Sequence, residues 1–461
     1  MKSPVILGVL MLIPAWPVRG DVIKVPQEFP TIQAGIDAAR DGDVVLIADG
    51  EYTGPGNRDI SFRGKAITVR GKGGPDRCTI NCERLGRGFV FDQDETNASV
   101  LAGVTITNGL APPEYDGGGG IFARRSAPVI RDCVIRDCEA GTAGGGGVFV
   151  DRNAILRNCR IINNRAYACG GILSLGAQVI DCTISGNVSE DVGAGIFADG
   201  GVIRGCTITD NHSTGNHQGG GINAYSALVE DCVITGNSAR SGGGIAAYSD
   251  TVVRNCLIAD NRADEGGGLT DSWFWGSMTV EHCTITGNTA NWGGAAALSG
   301  KASLTNCQIT ANVATGVGGA ILIGSDQMTR IVNCTLAANE ATTGGAVFVV
   351  QDGRASILNS ILWNNAPNEV SFVNPPPEIR YSDVKGGFEG EGNIDADPLF
   401  VEGPRGGFYL SQIRAGQPRN SPCVDAGLGE AQDGDLTNTT TRTDERKDRR
   451  EVDIGYHYPR R

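Results

Sequence analysis

Short runs of alternating apolar and polar residues fill most of this chain and recur in copies of about 25 residues. The segments GGGVFVDRNAILRNCRIINN and GGGINAYSALVEDCVITGN are two examples. In each copy the alternation extends over only a few residues between Gly, Asn and Asp, which predicts short β-strands and not helices. A single copy is too small to bury its apolar face. We therefore expect the copies to stack into a parallel β-solenoid.

Three residue types hold fixed places in the successive copies. Cys recurs from Cys133 to Cys334, Ser360 takes its place in a last copy, and an Asn follows most of these residues five positions later. A run of two or three glycines comes next. We expect Cys to fill a narrow core, Gly to form bends, and the Asn amides of neighbouring coils to hydrogen-bond to each other. The predicted ladder consists of Asn164, Asn187, Asn211, Asn237, Asn261, Asn288, Asn312, Asn339 and Asn365.

Segments at both ends resemble known β-helical proteins. VPQEFPTIQAGIDAARDGDVVLIADGEYTG is similar to the N-terminal cap of pectin lyase-like right-handed β-helices, which implies a capping helix over 32–39 and a first strand over 43–48. The GGAI-type bends and ITGN segments resemble repeats of chlamydial polymorphic outer membrane proteins, in which Phe stands where this chain has Ile or Leu. NIDADPLF, SPCVDAG and REVDIGYHYP resemble the closing segment of many secreted bacterial β-helix repeat proteins.

The predicted fold is all-β: one single-stranded right-handed parallel β-helix with an N-terminal capping helix and an irregular C-terminal cap. Residues 1–20 have a basic start and an apolar run too short to span a bilayer, which predicts a secretory signal peptide. The predicted β-helix covers 21–366, with the cap and early coils over 21–110 and ten regular coils over 111–366. Final coils and a capping region follow over 367–461. We expect a protein that is secreted or held at the cell surface, with no transmembrane segment.

Charge narrows the range of ligands. The formal net charge is −13, which argues against nucleic acid, because binding to phosphates relies on clustered Lys and Arg. An acidic polysaccharide would gain no electrostatic attraction from this charge unless a cation such as Ca²⁺ mediated the contact. No motif for Ca²⁺ is present, and we predict neither a cofactor nor a metal site.

The resemblance to pectin lyase-like proteins implies two kinds of catalytic site. Hydrolases of this fold use three Asp on neighbouring strands, and lyases use carboxylates for Ca²⁺ with an Arg or Lys as the base. Asp132, Asp181 and Asp231 precede ladder cysteines, but Asn fills the same place in other copies, which indicates a turn position. His212 and His217 lie in a polar bend without a third metal ligand. We assign no catalytic residue.

Aromatic residues give the one candidate binding surface. Tyr225 and Tyr248 hold equivalent places in adjacent copies, and the next copy inserts DSWFWGS with Trp273 and Trp275. We expect these four residues to form an exposed strip, because an aromatic face can stack on the C–H side of a sugar ring.

The sequence thus favours a non-catalytic protein that presents an extended surface for adhesion or for binding a polysaccharide or cell-surface glycan. A polysaccharide lyase or glycoside hydrolase of this fold, and a purely structural exoprotein, stay open as alternatives. Five cysteines lie outside the ladder, and the sequence leaves both disulfide pairing and free thiols open for them. These five are Cys78, Cys82, Cys138, Cys169 and Cys423.

Overall fold

The chain winds into a right-handed parallel β-solenoid of about 14 coils with almost no helix, as predicted. The computed structural model describes residues 20–112, 117–142, 144–215, 218–271, 277–431, 436–448 and 450–460. In these residues each coil contributes one strand to each of three long parallel sheets. We call them sheets A, B and C, in the order in which the regular coils pass through them. Because the strands pair in register, equivalent residues of successive coils lie one above the other.

Sheet A contains the fifteen strands Val22–Val25, Val44–Ile47, Thr68–Gly71, Val100–Ala102, Val129–Arg131, Ile155–Arg157, Gln178–Ile180, Val202–Arg204, Leu228–Glu230, Thr251–Arg254, Ser277–Glu281, Lys301–Thr305, Met328–Val332, Arg354–Leu358 and Glu378–Arg380. Sheet B contains the fourteen strands Gly50–Tyr52, Cys78–Asn81, Thr105–Thr107, Val134–Arg136, Arg160–Ile162, Thr183–Ser185, Thr207–Thr209, Val233–Thr235, Leu257–Ala259, Thr284–Thr286, Gln308–Thr310, Thr335–Ala337, Ile361–Trp363 and Asp383–Val384. Sheet C contains the thirteen strands Ile60–Ser61, Phe89–Phe91, Ile121–Ala123, Val148–Asp151, Ile172–Leu175, Ile196–Asp199, Ile222–Tyr225, Ile245–Tyr248, Leu269–Asp271, Ala296–Leu298, Ile321–Ile323, Val347–Val349 and Val370–Phe372.

Smaller elements complete the described structure. A four-stranded parallel sheet after sheet B contains Glu139–Ala140, Arg165–Ala166, Val188–Ser189 and His212–Ser213. A parallel pair at the same place in later coils is formed by Thr289–Trp292 and Val313–Val317. Two antiparallel pairs near the C-terminus are formed by Phe400–Gly403 with Gly406–Leu410, and by Thr439–Thr440 with Tyr458–Pro459. The helices are Ile32–Ala38 and the short 3-10 turn Ile413–Ala415.

The corner between sheets A and B explains why Asp, Asn or Gly fills the position before all ladder cysteines but Cys283, which follows His282. This residue has a left-handed backbone, for example with φ of 55° at Asp132, 53° at Asn255 and 64° at Gly205. Asn, Asp and Gly adopt that conformation at the lowest cost. The prediction of a turn position at Asp132, Asp181 and Asp231 is confirmed.

The glycine runs are required by close backbone contacts between coils. In the runs of three glycines the first glycine has positive φ, as at Gly242 with 61°. The second passes next to the following coil, where a Cβ on Gly243 would lie 2.4 Å from the Arg262 carbonyl oxygen. A Cβ on the third, Gly244, would lie 3.0 Å from the Asn261 Nδ2 atom. A Cβ at Gly243 would therefore require the neighbouring coil to shift, whereas other coils accommodate Ala194 at the second position and Ala295, Ala320 and Ala346 at the third.

The predicted capping helix is present as Ile32–Ala38 and covers the N-terminal end of the core. The Thr31 hydroxyl accepts a hydrogen bond from the Ala34 N–H at 3.2 Å, which caps the helix N-terminus. Ile32 and Ile36 are fully buried. At the other end of the helix, the Lys65 ammonium donates to three of the last carbonyls, including that of Ile36 at 2.7 Å. The core is thus closed to water at this end.

The C-terminal region does not only close the other end of the solenoid. Phe388 packs against the end of the main core. The residues from 398 onward, which we call the C-terminal lobe, lie against the outer face of sheet B. Asn306 in the corner before sheet B accepts a hydrogen bond from the His457 N–H at 2.7 Å and donates one to its carbonyl at 2.8 Å. The Tyr456 N–H donates to the Thr335 hydroxyl at 3.0 Å.

None of the helices in the described part of the chain has the length and apolar character needed to span a membrane.

Candidate functional site

The Asn ladder fixes the bend on which the candidate site is built. Each Asn is buried directly after sheet B, and its Nδ2 atom donates to the Oδ1 atom of the next Asn, as between Asn237 and Asn261 at 3.0 Å. The same Oδ1 atom also accepts the Asn237 backbone N–H at 3.0 Å. Glu369 ends the ladder by accepting both Asn365 donors through its carboxylate. The residues that follow each Asn are thereby held at equivalent positions in successive coils.

A groove runs along the solenoid axis over these bends and has a volume of about 960 Å³. Its floor is the second residue after each Asn, which is small in the coils concerned. The first and third residues after each Asn form its two walls, and most of them are exposed. We call this feature the axial groove. Its floor is Ser213, Ala239, Ala263 and Ala290, one wall is His212, Ser238, Arg262 and Thr289, and the other is Thr214, Gly215, Arg240, Asp264, Asn291 and Thr315.

Polar side chains of neighbouring coils are hydrogen-bonded to each other along both walls. Asn291 donates to the Asp264 carboxylate at 3.1 Å and accepts from the Thr315 hydroxyl at 2.9 Å. On the opposite wall, the His212 Nδ1 atom lies 2.6 Å from the Ser238 hydroxyl oxygen. These contacts fix hydroxyl, amide and carboxylate groups at regular intervals along the axis.

Two cations in the axial groove have no partner within the described structure. The side chains of Arg240 and Arg262, from adjacent coils, are exposed and form no hydrogen bond or ion pair with the described residues. By contrast, Arg165 at the position equivalent to Arg262 is paired with Glu190 at 2.8 Å. The two guanidinium groups are therefore free to donate to a ligand in the groove.

An exposed tryptophan stands beside the axial groove. Trp292 follows Asn291 and is 45% exposed. Its ring lies over Gly316 of the next coil, where a Cβ would come within 3.0 Å of the Trp292 Cδ1 atom. The glycine thus leaves room for the indole, which is partly open to solvent.

The predicted aromatic strip lies across sheet C from the axial groove. Tyr225 and Tyr248 stack with ring centroids 4.5 Å apart and planes 10° apart. Tyr225 is half-buried, but Tyr248 is only 7% exposed, so the expectation that both rings are exposed is wrong for Tyr248. Burial, with a smaller contribution from the neighbouring Tyr225, raises the pKa of the Tyr248 phenol. Trp273 and Trp275 lie outside the described residues.

The other candidate residues are dispersed. His212 lines the axial groove, and His217 lies outside the described residues. No group of three or more His, Cys, Asp or Glu side chains that could hold a metal ion occurs in the described parts of the chain. All fourteen cysteines are buried free thiols, including the five outside the ladder.

Sequence reasoning did not find the axial groove. The recurring small residue two places after each ladder Asn was the available signal, because it marks the floor. The walls carry a different residue in almost every coil, so they gave no repeating pattern.

Comparison with known proteins identifies the architecture. The family model described as a right handed beta helix region matches residues 33–187, 66–227, 170–335 and 222–374. No curated protein matches the chain significantly.

Similar solved structures include pectate lyase Pel9A, with 13% identity, a TM-score of 0.33, and coverage of 92% of this chain and 89% of that chain. The Azotobacter vinelandii mannuronan C-5 epimerase AlgE6 A-module has 15% identity and a TM-score of 0.38, over 80% of this chain and 94% of that chain. The catalytic domain of a GH87 alpha-1,3-glucanase has 15% identity and a TM-score of 0.35, over 79% of this chain and 68% of that chain. The family matches together cover more than half of the sequence, and the chain belongs to the right-handed β-helix family.

Proposed function

We propose that this protein is an exported, non-catalytic β-helix that binds a polysaccharide chain along its axial groove. The observation that carries the proposal is a groove of about 960 Å³ whose polar groups repeat at the coil spacing over five coils. A polymer of sugar units presents hydroxyl groups at regular intervals, and a regular row of donors and acceptors is complementary to such a ligand. The predicted signal peptide would bring the protein into contact with extracellular glycans.

Trp292 supports the proposal because it offers an aromatic face next to this row of polar groups. Aromatic faces bury the apolar side of a sugar ring while the hydroxyl groups stay hydrogen-bonded. The unpaired Arg240 and Arg262 add four or more free N–H donors to the same surface. The groove therefore combines the two kinds of contact that carbohydrate recognition requires.

The groove supports binding better than hydrolysis. Glycosidases of the usual kind need two carboxyl groups on either side of the scissile bond. Among the described residues that line the groove, Asp264 is the one carboxylate, and its hydrogen bond to Asn291 ties it to the wall. A lyase reaction, with Arg240 or Arg262 as the base, is the alternative that the assay below tests directly.

The test compares retention of the purified protein on a panel of immobilised polysaccharides with retention of two variants. Arg240→Ala/Asn291→Ala and Trp292→Ala should each lose at least tenfold in affinity. Matched controls are Arg160→Ala/Asn97→Ala and Phe372→Ala, which change exposed residues outside the groove and away from the wall positions. All variants must melt like the wild type.

Three results would contradict the proposal. Equal retention by the groove variants would remove the axial groove as the binding site. No retention of the wild type on any polysaccharide would favour a purely structural role. Unsaturated uronate products, or new reducing ends that the groove variants fail to produce, would show an enzyme. A parallel Trp273→Ala/Trp275→Ala variant tests the aromatic strip without the buried Tyr248, and Tyr225, Trp273 and Trp275 remain the second proposed binding surface.

A further inference from the structure

The C-terminal lobe encloses a second cavity, unrelated to the axial groove, with a volume of about 830 Å³. Six of its lining side chains are cationic and three are carboxylates, although the whole chain has a net charge of −13. We call it the lobe cavity. Its cations are Arg414, Arg442, Arg446, Lys447, Arg450 and Arg460, and its carboxylates are Asp425, Asp448 and Asp453.

Two of the three carboxylates are already satisfied within the protein. Asp453 accepts hydrogen bonds from the Asp425 N–H at 2.7 Å, from Gln412 at 3.1 Å and from the Thr441 hydroxyl. Asp448 accepts the Thr441 N–H at 2.9 Å and lies 3.4 Å from the His457 Nδ1 atom. Both carboxylates are buried. They hold the floor of the cavity together and leave little acceptor capacity for a ligand.

The cations differ in how far they are engaged. Arg442 forms a two-point contact with Asp444, at 2.8 and 2.6 Å, and Arg460 donates to the Glu445 carbonyl at 2.9 Å. The side chains of Arg414, Lys447 and Arg450 form no hydrogen bond or ion pair with any part of the chain that the structure describes, and all three are exposed. Like charges lining one cavity repel each other unless an anion lies between them. The lobe cavity therefore has a local excess of positive charge with free donors.

We propose that the lobe cavity binds a ligand carrying two or more phosphate or sulfate groups. Guanidinium groups match tetrahedral oxyanions because they donate two parallel N–H bonds, and a neighbouring lysine adds a point charge. The volume is within the range of small-molecule sites, so the cavity has room for more than a single inorganic ion. A multiply charged oxyanion is the ligand that Arg414, Lys447 and Arg450 can neutralise together.

The experiment titrates the purified full chain with inorganic pyrophosphate and with a disulfated disaccharide, by calorimetry at constant ionic strength in sodium chloride. We expect saturable binding of at least one probe, and the tighter probe identifies phosphate or sulfate as the source of the oxyanion. Arg414→Gln/Arg450→Gln should weaken binding at least tenfold. The control Arg160→Gln/Arg330→Gln removes two exposed cations of the solenoid and should leave the affinity unchanged.

The proposal fails if neither probe binds saturably, if Arg414→Gln/Arg450→Gln binds like the wild type, or if the control variant loses affinity to the same extent. The groove variant Arg240→Ala/Asn291→Ala should bind the probes normally. The outcome is thus independent of whether the axial groove binds a polysaccharide. Because all four substituted arginines are exposed, unfolding is not expected, and equal melting temperatures of the unliganded variants verify this.

Discussion

At the scale of single residues, the buried asparagines do more than fill space. Each amide supplies two donors and one acceptor that bridge three coils. The Asn237 amide donates to the Ile208 carbonyl of the preceding coil at 2.9 Å and to the Asn261 Oδ1 atom of the following coil at 3.0 Å. Buried polar groups of this kind stabilise a fold only when every donor and acceptor is paired. Removing one member of the ladder therefore affects its neighbours as well.

Asn237→Ala should lower the free energy of unfolding by about 1–3 kcal/mol, because the Asn211 donors and the Ile208 carbonyl lose their partner. Urea denaturation measures the change. Asn97→Ala, at an exposed position, is the control and should stay within about 0.5 kcal/mol of the wild type. A similar small change for Asn237→Ala would show that the ladder contributes nothing to stability.

Asp453 and His457 give the C-terminal lobe a dependence on pH. Burial and the neighbouring Asp448 raise the pKa of Asp453 from 3.8 to about 6. For His457, burial lowers the pKa, but contacts with Asp448 and Asp453 outweigh this and raise it above 6.5. In both cases the folded state holds its proton more tightly than the unfolded state. The contribution of each group to stability is thus present at low pH and is lost as the pH rises through its folded pKa.

We expect Asp453→Asn to remove part of this dependence. As the pH rises from about 4 to about 6, the wild type should lose stability relative to Asp453→Asn, because the folded wild type must give up a tightly held proton. Melting temperatures of both proteins, measured at intervals of half a pH unit, give the difference. Parallel curves over this window would show that the pKa of Asp453 is the same in the folded and the unfolded protein.

At the scale of elements, the coil is held at its corners. Strands of two to five residues contribute few contacts each. The left-handed corners, the Asn ladder and the glycine runs set where one strand ends and the next begins. The glycine run is the tightest of these points. It lets the chain enter sheet C in close backbone contact with the next coil.

Gly243→Ala should cost about 1–3 kcal/mol of stability, because the new methyl group meets backbone oxygens of Arg262 and Gly267 at 2.4 and 2.6 Å. Gly141→Ala is the matched control, since a Cβ there has no neighbour within 4 Å and the backbone is not left-handed. Thermal unfolding of the two variants compares them. A Gly243→Ala protein as stable as Gly141→Ala would mean that the coils can separate at no cost.

The repeat made most of the coil predictable. The regular spacing of Ile, Cys, Asn and Gly predicts the strands, the corners and the ladder, because each of these features recurs in the regular coils. The C-terminal lobe has no such period. Its contact between Asn306 and His457 joins residues 151 positions apart, and a single hydrogen-bonded pair leaves no pattern in a sequence. The lobe cavity and the burial of Tyr248 depend on such packing and could not be read in advance.

At the scale of the whole molecule, three sheets share one continuous core from the capping helix to Val384. The axial groove spans five of its coils, and since stacked strands are about 4.8 Å apart, its length is about 19 Å. Affinity for an oligosaccharide series should therefore rise with chain length until the ligand spans about 19 Å, and then stay constant. Calorimetry with oligosaccharides of increasing length measures this. An affinity that does not depend on length would indicate a single-unit site instead.

The in-register stacking of equivalent residues has a consequence for how such a chain can change over generations. Duplicating or deleting one complete repeat, from one ladder Asn to the next, leaves every remaining Asn, Cys and glycine opposite its counterpart. An insertion of a single residue inside a strand would instead move the residues that follow it in that strand to the opposite face of the sheet. The number of repeats therefore sets the length of the axial groove. Unequal recombination within the gene could lengthen or shorten the groove while the contacts between coils stay of the same types.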